Sequence, residues 1–280
     1  METYFEYILA AKGRNLYAQY WRPAGEMRGV VCLLHGLGEH SSRYTHVAVA
    51  FNQAGYAVMS YDQRGHGKTP GARGHVNSYD MLLDDAELLL KDAARRFPES
   101  PIFLYGHSLG GGLVLNLVLQ RNPSITGVIA TAPSLRLAFE PPAVKVFLGR
   151  LMDKIKPDFT QASGLETAAL SRDPEIVRAY ENDPLVHDKV SARLFTSFFD
   201  AGLSALVHAA EFSCPLLLMH GADDRLTSVQ ASREFAAAAG EQCTLKIWDG
   251  LYHEIHNEPE KDQVIAVMID WLNQHSGAAA

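Results

Sequence analysis

A serine flanked by glycines, in the segment Gly106-His107-Ser108-Leu109-Gly110, has the surroundings that covalent catalysis needs. The segment follows an apolar run, Ile102 to Tyr105, and begins a glycine-rich helical pattern. A serine hydroxyl is a weak nucleophile, so it must project from a sharp turn towards a base. A strand, a tight turn and a helix form such a turn, because glycines let strand and helix approach without a Cβ clash. The pentapeptide alone also arises by chance, but in this setting it predicts that Ser108 is a nucleophile.

An acid follows Ser108 after a later strand, as this chemistry requires. The apolar run Pro215 to Met219 leads into His220-Gly221-Ala222-Asp223-Asp224, so a carboxylate comes just past the strand end. The spacing from the glycine favours Asp224, with Asp223 as the alternative. We expect Asp224 to orient a histidine and to stabilise its charged form.

The base is expected after the next strand. The run Thr244 to Trp248 is followed by a loop that reaches His253, which would take and return the proton. His256 is the alternative, but His253 comes directly after the turn. The His-x-x-His spacing of the two does not indicate a metal site, because no third ligand accompanies it.

Acyl transfer also needs donors for the negatively charged oxygen of the tetrahedral intermediate. We expect one donor to be the N–H of Leu109, directly after the nucleophile, and the other to be the N–H of Leu37. Leu37 lies in the loop His35-Gly36-Leu37-Gly38-Glu39-His40, whose glycines let the chain curl inward. An ordinary glycine-rich turn is the alternative for this loop.

Apolar runs of strand length alternate with helical patterns and predict a mostly parallel sheet flanked by helices. With the serine turn, this order predicts the α/β-hydrolase fold. The predicted strands are Tyr4 to Ala10, Asn15 to Trp21, Gly29 to Leu34, Ala57 to Tyr61, Ile102 to Tyr105, Ile125 to Thr131, Pro215 to His220 and Thr244 to Trp248. The clearest predicted helices are Met81 to Phe97, Leu113 to Gln120, Val229 to Ala239 and Asp262 to Gln274.

About eighty residues separate the strand ending near Thr131 from the one starting near Pro215, too many for a simple connection. We therefore predict a helical cap, residues 134–193, inserted into a core of residues 1–133 and 194–280. The cap carries more apolar residues than a surface loop would. They either face a lipophilic pocket beneath a mobile lid or form a small core of the cap. These residues are Leu137, Phe139, Val144, Val146, Phe147, Leu148 and Leu151.

Composition excludes several classes of function. A net charge of -7 without a basic stripe argues against nucleic acid as a partner. The three cysteines are odd in number and lack metal-type spacing, which predicts reduced thiols and a cytoplasmic protein. The sequence lacks a signal-peptide pattern and an apolar stretch of spanning length, and transient contact of the cap with a membrane or micelle is compatible with this.

The motifs together resemble the monoacylglycerol lipase family. The resemblance rests on the loop His35 to Tyr44, the turn Asp62-Gln63-Arg64-Gly65-His66-Gly67, the serine turn Gly106 to Gly110 and the segment Tyr252 to Glu258, and it extends from about Tyr4 to Leu272. It implies hydrolysis of a monoacylglycerol, a small lipid ester, through an acyl-enzyme on Ser108, without a metal or organic cofactor. The triad it implies is Ser108, Asp224 and His253, with oxyanion donors at Leu37 and Leu109.

The resemblance also implies residues near the alcohol end of the pocket, namely Glu39, Arg43, His256 and Tyr180. For Glu39 and Arg43, four apart near a helix start, a surface ion pair is an equal alternative. Where the family has an acid on a cap helix, this sequence has Ile176, with Glu175 adjacent. Strict preference for a glycerol head group is therefore open, because buried polar groups are what recognise it.

Other functions are compatible with parts of the pattern. A broad carboxylesterase or lysophospholipase is the closest. An aminopeptidase would need acidic residues in the cap to hold the substrate amine, and such residues are available: Glu166, Asp173, Glu175, Glu181 and Asp183. A non-catalytic binding protein of this fold would not need the complete set of catalytic groups.

Overall fold

The computed structural model describes residues 3–11 and 14–277 of the 280-residue chain. The strands are β1 (Thr3–Ala11), β2 (Arg14–Arg22), β3 (Gly29–Leu34), β4 (Tyr56–Tyr61), β5 (Ile102–His107), β6 (Gly127–Thr131), β7 (Thr160–Ala162), β8 (Lys189–Ser191), β9 (Leu216–Gly221) and β10 (Cys243–Trp248). The α-helices are α1 (Thr45–Gln53), α2 (Tyr79–Arg96), α3 (Leu109–Arg121), α4 (Ala143–Ile155), α5 (Pro174–Asn182), α6 (Ala192–Val207), α7 (Val229–Ala239) and α8 (Lys261–His275). Short 3-10 helices occur at Ser41–Tyr44, Thr167–Ala169, Ala209–Glu211, Gly240–Gln242 and Ile255–Asn257.

Eight of the strands form one twisted sheet in the order β1-β2-β4-β3-β5-β6-β9-β10. From β4 to β10 all neighbours are parallel, while β1 and β2 are antiparallel additions at one edge. Every residue of β3, β4 and β9 is buried, as expected for parallel strands covered on both faces. The predicted α/β-hydrolase fold with a mostly parallel sheet is confirmed.

Helices cover both faces of the sheet and bury two apolar layers. On one face α1 and α8 contribute Phe51, Val264 and Met268. On the other face α2, α3 and α7 contribute large side chains such as Leu89 and Phe235. The sheet is therefore buried between two apolar layers, and its terminal loops project from it.

The loops that carry the predicted catalytic residues leave the sheet at the carboxyl ends of its parallel strands. Parallel strands end on the same side, so the segments after β3, β5, β9 and β10 converge there. They carry the predicted Leu37, Ser108, Asp224 and His253.

Above this edge lies the segment between β6 and β9. It contains the two-stranded sheet β7-β8 and helices α4, α5 and α6, of which α6 packs against both α4 and the core helix α3. The predicted boundary at residue 193 falls in the first turn of α6, and the division into core and cap stays a prediction. The ends of the predicted core, residues 1–2 and 278–280, lie outside the described residues.

All eight predicted strands are present, with ends displaced by no more than two residues. Helix α1 was not predicted, because its first turns carry β-branched Val47 and Val49 and read equally well as a strand. Its buried face is nevertheless helical, with Val47, Ala48 and Phe51 in the core.

Candidate active site

Ser108 occupies the strained turn between β5 and α3. Its backbone has φ 53° and ψ -114°, a conformation that non-glycine residues rarely adopt. Neighbouring backbone groups hold it there, since its N–H donates to Thr131 O at 3.0 Å and its C=O accepts from Gly112 N at 2.9 Å and Ser134 N at 3.0 Å. The strained conformation presents the side chain to a cavity at the sheet edge.

The glycines around Ser108 are required by close packing. A Cβ on Gly106 would overlap the carbonyl oxygen of Gly110, and a Cβ on Gly110 would overlap that of Leu34. Helix α3 can therefore begin directly against the end of β3. Leu109 is its first residue, so the N–H of Leu109 has no partner within the helix.

Asp224 is the aspartate that contacts His253. Its Oδ2 lies 2.7 Å from His253 Nδ1, and its Oδ1 accepts from the backbone N–H groups of Leu226 at 2.7 Å and Thr227 at 3.1 Å. Asp223 is exposed, and its backbone N–H donates to Leu251 O. Because Nδ1 faces a carboxylate, it carries the proton, and Nε2 is left as the basic nitrogen.

The two partners shift each other's pKa. Burial would raise the pKa of Asp224, but the charge of His253 and hydrogen bonds from His220 and His253 hold it well below its ordinary value. Burial would lower the pKa of His253, but the charge and hydrogen bond of Asp224 raise it, helped by Glu254 and Glu39. The pair therefore favours the protonated form of His253 beside an ionised Asp224.

The loop after β3 is braced by Glu39. Its Oε1 accepts from Gly36 N at 2.6 Å and from the Tyr44 hydroxyl at 2.7 Å. Gly36 and Leu37 both line the cavity beside Ser108. This brace orients the backbone around Leu37, the predicted oxyanion donor.

Glu39 and Arg43 are not a surface pair. The side chains of Glu39, Arg43 and Glu254 are 3%, 11% and 2% exposed. Arg43 donates to Glu39 Oε2 at 2.5 Å and to both oxygens of Glu254, at 2.7 and 2.8 Å. The surface alternative for this pair is therefore wrong.

The cavity beneath the cap has a volume of about 610 Å³ and is lined mainly by apolar side chains. Cap residues Leu137, Phe139, Val146 and Leu148 line it, as do Met152, Phe159, Leu165, Phe195 and Phe198. Val144, Phe147 and Leu151 instead point outward and are 62%, 65% and 41% exposed. Helix α4 has no buried residue, so the cap has no core of its own at this helix.

The remaining predicted residues divide into two groups. Glu39 and Tyr180 line the cavity, and the guanidinium of Arg43 lies 4.7 Å from the centre of the Tyr180 ring. Arg43 and His256 are not among the lining residues. His256 is fully buried behind the wall and stacks on Tyr44 at 4.8 Å, so direct substrate contact is not supported for it.

The acids considered on the cap point elsewhere. Glu175 pairs with Arg178, and Asp183 contacts His40 Nε2 at 2.9 Å. Asp173 caps helix α5, and Glu181 accepts from Thr167 at 2.5 Å. None of them, nor Glu166, lines the cavity.

Sequence reasoning missed several groups around the triad. His220 contacts Asp224, and Thr227 donates to it, although only their closeness in sequence hinted at this. Glu254 was missed because its partner Arg43 is 211 residues away. Within residues 3–11 and 14–277, no three His, Cys, Asp or Glu side chains are grouped so as to hold a metal ion.

Comparison with known proteins agrees with this geometry. The family model Hydrolase_4, described as "Serine aminopeptidase, S33", matches residues 25–260. A monoacylglycerol lipase of Mycolicibacterium smegmatis is 36% identical over 94% of each chain. An uncharacterized abhydrolase domain-containing protein of Dictyostelium discoideum is 34% identical over 95% of this chain, which spans 28% of that protein.

Among solved structures, a monoacylglycerol lipase of Paleococcus ferrophilus superposes with a TM-score of 0.86 at 34% identity, covering 93% of this chain and 99% of that one. The agreement extends over both the sheet and the segment above it. The chain belongs to the monoacylglycerol lipase family of serine ester hydrolases with the α/β-hydrolase fold.

Proposed function

We propose that this protein hydrolyses monoacylglycerols to a fatty acid and glycerol through an acyl-enzyme on Ser108. The observation that carries the proposal is the position of Ser108 and His253 on the wall of one apolar cavity, with Asp224 bonded to His253 behind them. The family's lipases point to the same substrate class.

In the first half of the reaction, Ser108 Oγ attacks the ester carbonyl carbon and its proton passes to His253 Nε2. The carbonyl oxygen becomes an oxyanion and accepts hydrogen bonds from the N–H groups of Leu37 and Leu109. When the intermediate collapses, the C–O bond to glycerol breaks, and the leaving oxygen takes the proton from His253.

In the second half, water replaces the alcohol. His253 Nε2 takes a proton from water, whose oxygen attacks the acyl carbon, and the same two N–H groups hold the new oxyanion. Collapse breaks the bond to Ser108 Oγ, which recovers its proton from His253. Asp224 stays ionised throughout and stabilises the imidazolium twice per turnover.

The cavity favours a long acyl chain over a peptide. Its lining includes Val146 and Met152 of the cap and Phe198 of α6. These side chains offer contact to an alkyl chain but no hydrogen bonds to an amide. An aminopeptidase needs a free carboxylate for the substrate amine. The lining carboxylates, Glu39 and Glu254, are both paired with Arg43.

The alcohol end would lie near Tyr180 and Glu39. Both line the cavity, as does Leu37, and both carry polar atoms that a glycerol head could bond. We expect Tyr180→Phe to raise KM for a monoacylglycerol while leaving a short alkyl ester nearly unaffected, because only the diol can bond the hydroxyl.

The substrate assignment is tested by comparing kcat/KM for a 1-monoacylglycerol, a short p-nitrophenyl ester, a lysophospholipid and an aminoacyl amide. The monoacylglycerol should exceed the short ester by about ten-fold or more, as a filled acyl cavity predicts. A faster short ester would replace the proposal by a broad carboxylesterase, and a faster lysophospholipid by a lysophospholipase.

The nucleophile is tested with Ser108→Ala. This variant should lose turnover and covalent labelling by a fluorophosphonate while remaining folded. Ser213→Ala, whose hydroxyl donates to Asn122 far from the cavity, is the matched control and should keep both. Labelling that persists in Ser108→Ala would exclude the assignment.

We also infer that the cap touches a membrane or micelle surface when it collects substrate. The outer face of α4 exposes Val144, Phe147 and Ile155, by 62%, 65% and 70%. In the described part of the chain, no helix combines the length and apolarity needed to cross a membrane. The unpaired cysteines Cys32, Cys214 and Cys243 support a reducing, cytoplasmic location.

A further inference from the structure

Asp224 is held by a second histidine. Its Oδ2 lies 2.9 Å from His220 Nε2, on the side opposite the backbone donors that bind Oδ1. His220 and the Asp224 carboxylate are both fully buried, and the other ring nitrogen of His220, Nδ1, lies 2.8 Å from the hydroxyl of Ser232 on α7. The carboxylate is therefore linked through an imidazole to the helix that packs behind β9.

The hydrogen-bond pattern fixes one proton of the His220 ring. An ionised carboxylate only accepts, so Nε2 carries a proton and donates to Asp224, while Nδ1 shares a hydrogen bond with the Ser232 hydroxyl. The Thr227 hydroxyl is a weaker partner for Asp224, because its single hydrogen is shared between Asp224 Oδ2 at 2.9 Å and Ala132 O at 3.1 Å. His220 is thus the fixed side-chain donor to Asp224 other than His253.

We propose that His220 is a positioning residue of the triad, which fixes the Asp224 carboxylate and moderates the basicity that Asp224 confers on His253. A donor on Oδ2 competes with His253 for the same oxygen and neutralises part of its charge. Without it, the whole charge would act on His253, and the imidazolium would be held more tightly than proton return to the alcohol requires. The inference rests on the proposed ester hydrolysis at Ser108, but not on the identity of the ester.

Several titratable groups besides Asp224 face His253. Glu254 is its neighbour in the chain, Glu39 faces it from the loop after β3, and the ring of His107, at the end of β5, lies 4.8 Å away at a tilt of 56°. Arg43 pairs with both glutamates and offsets part of their negative charge. None of these groups contacts His220 in the described structure. A substitution at His220 therefore reaches His253 through Asp224, with a longer second link through Thr227 Oγ1, which lies 3.3 Å from His220 Nε2 and 3.4 Å from His253 Nδ1.

The test compares His220→Gln, His220→Asn and His220→Phe by their pH profiles of kcat/KM on any ester that the wild type cleaves. Gln places an amide N–H near the position of Nε2, whereas Asn is too short and Phe has no donor. We expect Gln to keep the wild-type acid limb. Asn and Phe should move its midpoint upward by roughly half a pH unit and lower kcat about ten-fold with little change in KM.

Controls separate this role from simple support of the core. Phe235→Leu loosens the fully buried α7 contact without touching a donor to Asp224, so it should lower Tm and leave the midpoint in place. Ser232→Ala, which removes the partner of Nδ1, should shift the midpoint in the same direction as Asn but less. If His220→Phe does not fold, the Gln and Asn variants decide.

Equal midpoints for His220→Gln and His220→Asn would overturn the proposal. Losses of activity in the His220 variants that are proportional to their losses of Tm, as in Phe235→Leu, would also overturn it. A downward shift in Asn would overturn it too, since it would mean that His220 strengthens the base. A wild type that cleaves no ester, or a Ser108→Ala variant that keeps its activity, would instead reject the proposed hydrolase mechanism itself.

Discussion

Arg43 and Glu254 form a two-point ion pair inside the protein, with Nη1 to Oε1 at 2.7 Å and Nη2 to Oε2 at 2.8 Å. Arg43 also binds Glu39, the residue that braces Gly36. One guanidinium thus joins the loop of the oxyanion donor to the loop of His253. The two halves of the active site are fixed relative to each other by this cation.

Removing that cation should be costly. Arg43→Met leaves two buried carboxylates without a counter-charge, and we expect the free energy of unfolding to fall by about 3–5 kcal/mol, with a loss of kcat. Urea denaturation measures the first effect. Glu87→Gln, which breaks the exposed Lys91 pair, is the control and should change stability by roughly 0–1 kcal/mol. A similar loss in both variants would contradict a structural role for the buried cluster.

Substituting the two aspartates separately distinguishes their roles. Asp224→Asn should lower kcat by about four orders of magnitude, because the amide presents the wrong partner to His253 Nδ1. The pKa of His253 should fall as well, since the carboxylate that raises it is lost, so any residual activity should extend to lower pH. Asp223→Asn should stay within a few-fold of wild type. A large loss in Asp223→Asn alone would reverse the assignment.

Stability should decline in acid for a defined reason. Burial would raise the pKa of Glu254, but Arg43 lowers it, and the pKa of Asp224 is also held well below its ordinary value. A carboxyl whose pKa is lower in the folded than in the unfolded state stabilises the folded protein at pH values above its unfolded-state pKa. This contribution is lost as the pH falls towards the folded-state pKa. The free energy of unfolding should therefore decrease as the pH falls below about 4.5. Glu254→Gln should make this dependence on pH less steep. An unchanged slope in Glu254→Gln would exclude this source.

His253 acts on stability in the opposite direction. Its pKa is raised in the folded state. Its contribution to the free energy of unfolding is therefore complete at pH values below its unfolded-state pKa and is lost as the pH rises through its folded-state pKa. Kinetically, the base must be neutral, so kcat/KM should rise with pH through this same range. An acid-limb midpoint at or below the ordinary histidine value, about 6.5, would contradict the raised pKa.

The joint between cap and catalytic loop depends on Gly38. Its φ is 80°, and an added Cβ would lie 2.5 Å from the carbonyl oxygen of His187, whose N–H donates to Gly38 O at 2.9 Å. Gly38→Ala should therefore displace Leu37. The resulting loss of kcat should exceed the loss expected from the reduced stability of the variant. Gly240 has a φ of 63° and open space around it. Gly240→Ala therefore tests the energetic cost of the backbone conformation without a steric clash. Equal kcat in the two variants would argue against a coupled joint.

The exposed face of α4 is tested with lipid vesicles. Phe147→Ser, at a position 65% exposed, should weaken vesicle binding in a flotation assay and leave the hydrolysis of a water-soluble ester unchanged. Val207→Ser, at a position 79% exposed at the end of α6, which packs against α4, shows whether the contact extends beyond α4. Vesicle binding that persists in both variants would rule out this face as the contact.

The candidate catalytic residues could be nominated from the sequence because each lies next to a strand end. Ser108, Asp224 and His253 each follow an apolar run, and parallel strands bring their carboxyl ends to one edge of the sheet. Local rules of turn geometry and strand order were therefore enough to nominate these residues. They also indicated the fold, whose strands were found within two residues of the predicted ends.

The environment of these groups was decided by tertiary structure. No local pattern relates Arg43 to Glu254, 211 residues apart, or shows that His220 points at Asp224 and not into the core. The same holds for the cap, where Leu148 lines the cavity and Phe147, its neighbour, faces outward. Sequence periodicity reports which residues are apolar or charged, whereas burial and pairing, which set pKa and specificity, depend on which distant segments pack together.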